Sequence, residues 1–345
     1  MIQTKPERRV SALIILFIVA GLFQSCDNKR KPVDSLQSSE FDKCISNFVQ
    51  EEIKIHKKLQ ETYYEIDQDN GAIQVGRGSI FKKGLEGRAS VLILHGILTF
   101  PRRLDKLINE IHQSGYTVYA PLIPGFGSST KIANRFKIDF VRPFLDIQYL
   151  RLSKCFEEIN LIGFSLGGAL VTDFVLSRYH HYYAKSRHAK VKSLALLSPS
   201  IRPRNYHAAK FSKMLACLYK EEISLSLLSK ITNNGEIAEM KKKPDVHCQS
   251  FPLNLGGELV KLANQLQKSK RPQFDLHPLP TNLYYSELDQ SADWRASREF
   301  ITETFEEVKI RSFSINDDLP HGLNINKDDE YGEEIRRDRL ELISL

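Results

Sequence analysis

The sequence predicts an α/β fold in which a mostly parallel central sheet is flanked by helices. Three observations favour this class. Short apolar runs alternate along the chain with longer amphipathic segments, as strands alternate with helices in such folds. The runs are continuously apolar, which is typical of strands that helices cover on both faces. A chain of 345 residues is also long enough to bury a substantial core.

The individual elements follow from these runs. Strands are predicted over 90–96, 117–125, 159–165, 192–200, 282–287 and 309–315. Amphipathic spacing predicts helices near 101–114, over 139–157 and from Leu166 to about Tyr179. Apolar residues at helical spacing predict one more helix over 39–62, packed on the main domain. Within 72–84, Gly76 and Gly78 predict the turn of a β-hairpin.

The alternation stops in the interval 201–279, which contains helical patterns only. The clearest pattern places apolar side chains on one helical face, at Leu255, Leu259, Leu262, Ala263 and Leu266. We therefore expect a helical cap over the carboxyl ends of the strands. The core would then consist of two parts, residues 39–200 and residues 280–345.

The first residues of the chain are typical of a sorting segment. A basic start is followed by an apolar run from about Val10 to Phe23, which is shorter than the about 20 residues that span a bilayer. The run leads into "LFQSC", which resembles the lipobox of bacterial lipoprotein signals. That resemblance implies that residues 1–25 are removed and that Cys26 is lipidated. Residues 26–38 would be a tether, and the protein would be anchored in the bacterial cell envelope. Ordinary secretion and an uncleaved N-terminal anchor are the alternatives.

Charge and cysteine content limit the partners further. The formal net charge is +7, but no basic stripe interleaved with aromatic residues is present, so nucleic-acid binding is not expected. An exported chain can form disulfides. Cys44, Cys155, Cys217 and Cys248 allow three pairings, among which the sequence cannot choose. Cys217 and Cys248 both fall in the predicted cap and are the first pair to test, although all four side chains could instead be buried thiols.

Ser165 stands out because it lies in "GFSLG" (163–167), a G-x-S-x-G motif. The motif alone is weak, since ordinary glycine and serine frequencies produce it by accident in about one chain in ten of this length. Its setting is more specific, because a predicted strand ends before Ser165 and a predicted helix begins after it. This is the setting of a nucleophile elbow, a sharp turn that projects the serine hydroxyl into a cleft.

A serine nucleophile needs a base to take its proton and an acid to orient that base. His321 follows the last predicted strand, at the same edge of the sheet as Ser165. Asp289 follows the fifth strand, with Asp293 and Glu287 as alternatives for the acid. The adjacent pair His180 and His181 has the wrong spacing for metal ligands on one helix face. We therefore expect no metal and no cofactor.

Five motifs in this order resemble those of the α/β-hydrolase superfamily, nearest to its capped carboxylesterase and monoacylglycerol-lipase branch. They are "VLILHGILTFP" (91–101), "PLIPGFGSS" (121–129), "LIGFSLGGAL" (161–170), "YYSELDQS" (284–291) and "LPHGL" (319–323). The resemblance implies that the backbone N–H groups of Ile97 and Leu166 form the oxyanion hole. The sequence departs from the family around Glu287 and Leu288, where relatives more often have Gly or Asp near the acid.

These observations predict a serine hydrolase that cleaves carboxylic esters through an acyl-enzyme intermediate, with the triad Ser165, Asp289 and His321. An apolar cap and a membrane tether favour lipid-like or other hydrophobic esters as substrates. The same constellation could serve an amidase, a peptidase or an acyltransferase. A catalytically silent lipoprotein that uses the fold as a binding module is the alternative of a different class.

Overall fold

A computed structural model describes residues 38–64, 72–85, 89–182, 188–210, 212, 222–232, 250–270, 276–317, 321–323, 335 and 337. The sequence-based predictions for residues 1–37, including Cys26, and for Cys217 and Cys248 fall outside these residues. None of the described helices is both long enough and apolar enough to cross a bilayer.

The predicted α/β fold is confirmed by a seven-stranded sheet in the order β1-β3-β2-β4-β5-β8-β9. Its strands are β1 (Ile80–Lys82), β2 (Ser90–Leu94), β3 (Thr117–Ala120), β4 (Glu158–Phe164), β5 (Lys190–Leu197), β8 (Thr281–Ser286) and β9 (Val308–Phe313). All neighbours pair in parallel except β1, which runs antiparallel to β3. The parallel strands therefore end at one common edge.

Helices cover both faces of this sheet. The α-helices of the described part of the chain are α1 (Ser38–Leu59), α2 (Asp105–Gln113), α3 (Thr130–Ala133), α4 (Ile138–Leu152), α5 (Leu166–Phe174), α6 (Leu225–Thr232), α7 (Leu253–Ser269) and α8 (Trp294–Thr302). The larger apolar cluster lies on one face, where α1, α4, α5, α7 and α8 pack. On the other face α2 packs through Leu107, Ile108 and Ile111. The continuous apolar runs of β2, β3 and β8 are buried along their whole length, as strands covered on both faces require.

Two predictions about local structure are wrong. The segment 72–84 is not a β-hairpin, because its only strand, β1, pairs with β3 instead of with a neighbouring segment. The interval 201–279 is not purely helical, since β6 (Glu222–Ser224) and β7 (Ser250–Pro252) form a two-stranded antiparallel sheet. Each of these strands has three residues, too few to show a period of two in the sequence.

The last strand, β9, is not covered on both faces, unlike the central strands of the sheet. It lies at the edge of the sheet, and four of its six residues, Lys309 to Ser312, are exposed. The charged side chains of Lys309 and Arg311 are typical of edge strands, where they discourage pairing with a second chain.

A disulfide and a buried ionic cluster attach α1 to the core. Cys44 of α1 is bonded to Cys155, just after α4, across 111 residues of chain. On the same side, Arg151 donates to Glu52 at 2.6 Å and to the carbonyl oxygen of Phe48 at 2.7 Å. The helix predicted over 39–62 is therefore held on the main domain. The pairing Cys44–Cys155 could not be chosen from the sequence.

The long helix of the 201–279 interval is bonded to the core at several points. A carboxylate oxygen of Glu258 accepts the N–H of Ile138 at 2.9 Å, and the Asn254 amide donates to the carbonyl oxygens of Asn134 and Phe136. Glu258 is buried, so the unpaired N–H at the start of α4 gains a charged acceptor. This helix, α7, therefore packs on α4 and α5 as part of the helical layer.

Candidate active site

Ser165 occupies a strained turn between β4 and α5. Its φ of 54° and ψ of −116° lie in a region that costs a non-glycine residue on the order of 1–3 kcal/mol. Two backbone hydrogen bonds to other segments hold the turn in place. The N–H of Ser165 donates to the carbonyl oxygen of Leu197 at 2.9 Å, and its carbonyl accepts the N–H of Ser200 at 3.0 Å. The elbow predicted from the G-x-S-x-G motif is therefore present.

The two motif glycines are required by close backbone contacts. A Cβ on Gly167 would lie 2.2 Å from the carbonyl oxygen of Leu94, and a Cβ on Gly163 would lie 2.5 Å from the Cα of Gly168. Neither contact can be relieved by moving a side chain, because both involve backbone. Strand β4, the first turn of α5 and the end of β2 can therefore approach this closely only with glycine at both positions.

Ser165, His321 and Asp289 lie in one hydrogen-bonded row. The Ser165 Oγ is 2.8 Å from His321 Nε2, and His321 Nδ1 is 2.6 Å from Asp289 Oδ2. Because a carboxylate can only accept, the proton of a neutral imidazole lies on Nδ1, which leaves Nε2 free to accept from the serine hydroxyl. The three predicted residues are thus brought together from the ends of β4 and β8 and from the loop beyond β9.

The three residues of the row are largely buried. Ser165 keeps 3% of its accessible surface and Asp289 keeps 1%, whereas 16% of the His321 side chain is exposed. The sequence predicted a hydroxyl projecting into a cleft, but Ser165 is almost fully buried. The imidazole is therefore the part of the row that reaches solvent.

Asp289 is held in place by its own loop. Its Oδ1 accepts the N–H groups of Ser291 and Ala292, both at 2.8 Å, while Oδ2 faces His321. The alternative acid, Asp293, caps α8 by accepting the N–H of Ala296 and is used there. Of the three candidate acids, Asp289 is the one hydrogen-bonded to the imidazole.

The loop that carries Ile97 lies close to this turn, because a Cβ on Gly96 would lie 3.1 Å from the Cβ of Ser165. Leu166 is the first residue of α5, where helical N–H groups lack an internal acceptor. Ile97 lies in the loop after β2, next to Leu98, whose φ is 51°. Within the described part of the chain, neither the Ile97 nor the Leu166 amide donates to a protein acceptor. Both donors are therefore available to an oxygen on a ligand.

His95 supports this loop and does not reach the serine. Its Nδ1 is 2.8 Å from the carbonyl oxygen of Gly96, and its Nε2 accepts the N–H of Ile123 at 3.0 Å. Burial lowers the pKa of His95 to about 4, an effect that the Gly96 carbonyl partly offsets. The imidazole is therefore neutral at pH 7 and joins the "HG" loop to the loop after β3.

The sequence analysis missed two residues beside the row. The ring of Phe164 packs on the His321 imidazole with centroids 5.4 Å apart. Arg204 donates from its guanidinium to the carbonyl oxygen of Asp289. Phe164 could have been found as the neighbour of Ser165 in the motif. Nothing near Arg204 in the sequence points to the acid loop, residues 287–293 between β8 and α8. Among the described residues, no three His, Cys, Asp or Glu side chains are grouped to hold a metal ion.

Comparison with known families agrees with this geometry. Residues 86–326 match the family Hydrolase_4, described as serine aminopeptidase, S33. The matched range begins just before β2 and extends past His321, so it includes the whole row. No curated protein sequence matches the chain.

Solved structures with similar folds include several lipolytic enzymes. A metagenome-derived lipolytic enzyme (LipS or LipT) has a TM-score of 0.58 at 15% identity, covering 79% of this chain and 99% of that one. The monoacylglycerol lipase of Paleococcus ferrophilus gives 0.54 at 22% identity, with coverages of 77% and 98%. A soluble variant of the Saccharomyces cerevisiae monoglyceride lipase gives 0.58 at 14%, with coverages of 77% and 91%. At these identities the similarity establishes the α/β-hydrolase fold.

Proposed function

Because this chain belongs to the Hydrolase_4 family of serine aminopeptidase S33 type, we propose that it is a serine hydrolase that cleaves carboxylic esters through an acyl-enzyme intermediate. The observation that carries the proposal is the row of hydrogen bonds, 2.8 Å from Ser165 to His321 and 2.6 Å from His321 to Asp289. These distances allow proton transfer without rearrangement of the protein.

The reaction follows from the position of each proton. The Ser165 Oγ attacks the acyl carbonyl carbon while its proton passes to His321 Nε2, and Asp289 stabilises the resulting imidazolium. The oxyanion accepts hydrogen bonds from the Ile97 and Leu166 amides, each typically worth about 2.7–4 kcal/mol to the transition state. The imidazolium then returns its proton to the departing alcohol. Water, deprotonated by His321, finally releases the acid and regenerates the serine.

The preferred substrates under this proposal are lipid-like or otherwise hydrophobic esters. The loop that carries the Ile97 amide also carries Leu98 and Phe100, which are only partly buried and pack against the larger apolar cluster. Apolar side chains beside the oxyanion amides favour an apolar acyl or alcohol group.

Anchoring by a lipid is a separate part of the proposal and depends on Cys26. Lipidation of Cys26 would place the enzyme next to its hydrophobic substrates in the cell envelope. Cys26→Ser should move the protein from the detergent phase to the aqueous phase in a phase-partition assay, since a thioether-linked lipid is lost. Unchanged partitioning would contradict lipidation without affecting the proposed chemistry.

Peptide bonds are the second candidate substrate, because the matched family is described as a serine aminopeptidase. The same serine, imidazole and carboxylate can attack an amide, with His321 protonating a departing amine in place of an alcohol. Aminoacyl p-nitroanilides and p-nitrophenyl esters of graded acyl length, assayed side by side, distinguish the two. We expect the esters to be hydrolysed faster.

The decisive experiment is labelling with a fluorophosphonate probe, which reacts with activated serines. The wild-type chain should be labelled and should hydrolyse esters, and Ser165→Ala should do neither. Ser198→Ala is the matched control, because Ser198 is also a buried serine at a strand end with positive φ, 42°. A wild-type chain that is not labelled would favour the silent binding module. Labelling that survives Ser165→Ala would show that Ser165 is not the nucleophile.

A further inference from the structure

We propose that Arg204 is a positioning residue for Asp289, holding the acid loop so that its carboxylate meets His321. The inference rests on the proposed function, since it takes Asp289 as the acid of the triad. It assigns a role in catalysis to a side chain that lies more than 80 residues away from that acid in the sequence.

The backbone around Arg204 is paired with the acid loop. Pro203 and Ala292 form an antiparallel bridge. On either side of it, the N–H of Arg204 donates to the carbonyl oxygen of Ser291 at 3.2 Å, and the N–H of Asp293 donates to the carbonyl oxygen of Arg202 at 2.9 Å. We call this paired backbone of residues 202–204, without its side chains, the clasp. The clasp fixes the end of the acid loop that follows Asp289.

The Arg204 side chain fixes the beginning of the same loop. Its Nη1 donates to the carbonyl oxygen of Asp289, the residue whose carboxylate contacts the imidazole. A hydrogen bond from a charged donor is stronger than one from a neutral donor. Without the Arg204 guanidinium, the carbonyl oxygen of Asp289 loses this hydrogen-bond donor. Rotation of that peptide group would turn the carboxylate away from His321. Triads depend on placement within about 0.5 Å, so a small rotation is sufficient to slow the reaction.

Arg202 provides a matched control within the same clasp. Its carbonyl oxygen pairs with the acid loop, but its guanidinium lies over the ring of Tyr206, 5.0 Å from the centroid. Arg202→Gln therefore removes the same charge, two residues away, and leaves every contact to the acid loop in place. Any difference between Arg202→Gln and Arg204→Gln reports on the bond to Asp289.

The experiment measures kcat and KM of the full chain for p-nitrophenyl esters of several acyl lengths, and the rate of fluorophosphonate labelling. Arg204→Gln should lower kcat about tenfold, by the same factor for every ester, and leave KM unchanged. The rate of labelling by the probe should fall by the same factor. Arg204→Lys, which keeps a charged donor, should recover part of the loss. Arg202→Gln should equal the wild type. A loss that varies with acyl length would instead make Arg204 a substrate contact, and equal losses in the two Gln variants would indicate a general effect of charge; both contradict the proposal.

A second readout does not require ester hydrolysis. The proton on His321 Nδ1, hydrogen-bonded to Asp289, should give a far-downfield proton NMR signal. We expect Arg204→Gln to weaken or shift this signal, and Arg202→Gln to leave it unchanged. If the wild-type chain is not labelled by the probe, the proposed function fails, yet the NMR comparison still decides whether Arg204 positions Asp289. An unchanged signal in Arg204→Gln would refute the positioning role.

Discussion

Two buried polar clusters join distant parts of this chain, and they differ in backbone strain and in hydrogen bonding. The first is the row of Ser165, His321 and Asp289. The second surrounds Arg151, which donates to Glu52, to Gln148 at 2.6 Å and to the Phe48 carbonyl, while Tyr119 donates to Glu52 at 2.7 Å. Both clusters bring together residues that are far apart in sequence.

The clusters differ in strain and in free donors. Ser165 has a positive φ, and within the described residues the amides of Ile97 and Leu166 have no protein acceptor. The guanidinium of Arg151, in contrast, is surrounded by acceptors within the protein. Burial and an opposing charge therefore do not identify a reactive site by themselves. What distinguishes the first cluster is the strained backbone of Ser165, because such strain persists only where the surrounding fold imposes it.

The largest change in activity is expected from a substitution that disrupts the row of Ser165, His321 and Asp289 without unfolding the protein. Asp289→Asn should lower kcat for ester hydrolysis by about 10⁴-fold, because the amide no longer fixes the Nδ1–H tautomer or stabilises the imidazolium. The thermal midpoint should change little, since the Asn side chain oxygen can still accept from Ser291 and Ala292. Steady-state kinetics and thermal unfolding test this. A variant that retains wild-type kcat would rule out Asp289 as the acid.

The second prediction concerns the disulfide that attaches α1 beside the Arg151 cluster. Its removal should lower stability and leave the hydrolytic activity unchanged. The Cys44–Cys155 bond closes a loop of 111 residues, for which loop entropy gives a stabilisation of about 5 kcal/mol. Cys44→Ser with Cys155→Ser should lower the free energy of unfolding by this order, measured by urea unfolding under oxidising conditions. The kcat of the folded double variant should equal that of the wild type. A large loss of kcat would show that α1 contributes to the active site.

A smaller effect concerns His95 and pH. Its pKa is lowered from 6.5 to about 4 in the folded state, so between these values the unfolded chain binds the proton that the folded chain does not. Stability should therefore fall as the pH drops from 6.5 to about 4, by up to about 3 kcal/mol, and this contribution should then level off. His95→Gln should flatten this part of the profile of unfolding free energy against pH. A variant with the wild-type slope would assign the effect to other groups.

The smallest effect separates the two neighbouring aspartates. Asp293→Ala removes the cap of α8, which should cost about 1 kcal/mol of stability. Its kcat should stay within about twofold of the wild type, because Asp293 does not contact the imidazole. Steady-state kinetics and thermal unfolding test this variant as they test Asp289→Asn. One variant should lose activity and keep its stability, and the other should do the reverse. A loss of kcat larger than the loss caused by Asp289→Asn would reverse the assignment of the acid.

Features coded over short distances could be predicted from the sequence. The strand and helix that flank Ser165 are visible as a continuous apolar run followed by an amphipathic one, and Gly163 and Gly167 indicate the tight turn between them. The order of the motifs also placed Asp289 and His321 after strands that end at one sheet edge. This worked because parallel strands bring their carboxyl ends together whatever the length of the connections.

Features that depend on pairing between distant segments could not be predicted. The short strand β1 resembled half of a hairpin, because nothing local distinguishes a partner six residues away from one at Thr117–Ala120. The two three-residue strands of the 201–279 interval were invisible for the same reason. Arg204 lies in a loop with no pattern at all, and only the bridge between Pro203 and Ala292 brings it to Asp289.

By itself, the sequence determined the α/β class, the elbow at Ser165 and the residues that could complete a triad, because periodicity and glycine placement act within a few residues. The tertiary structure alone decided which acid faces the imidazole, which cysteine pairs with Cys44 and how the clasp holds the acid loop. Those choices depend on distances between side chains from separate loops, and such distances exist only after the sheet has brought the loops together.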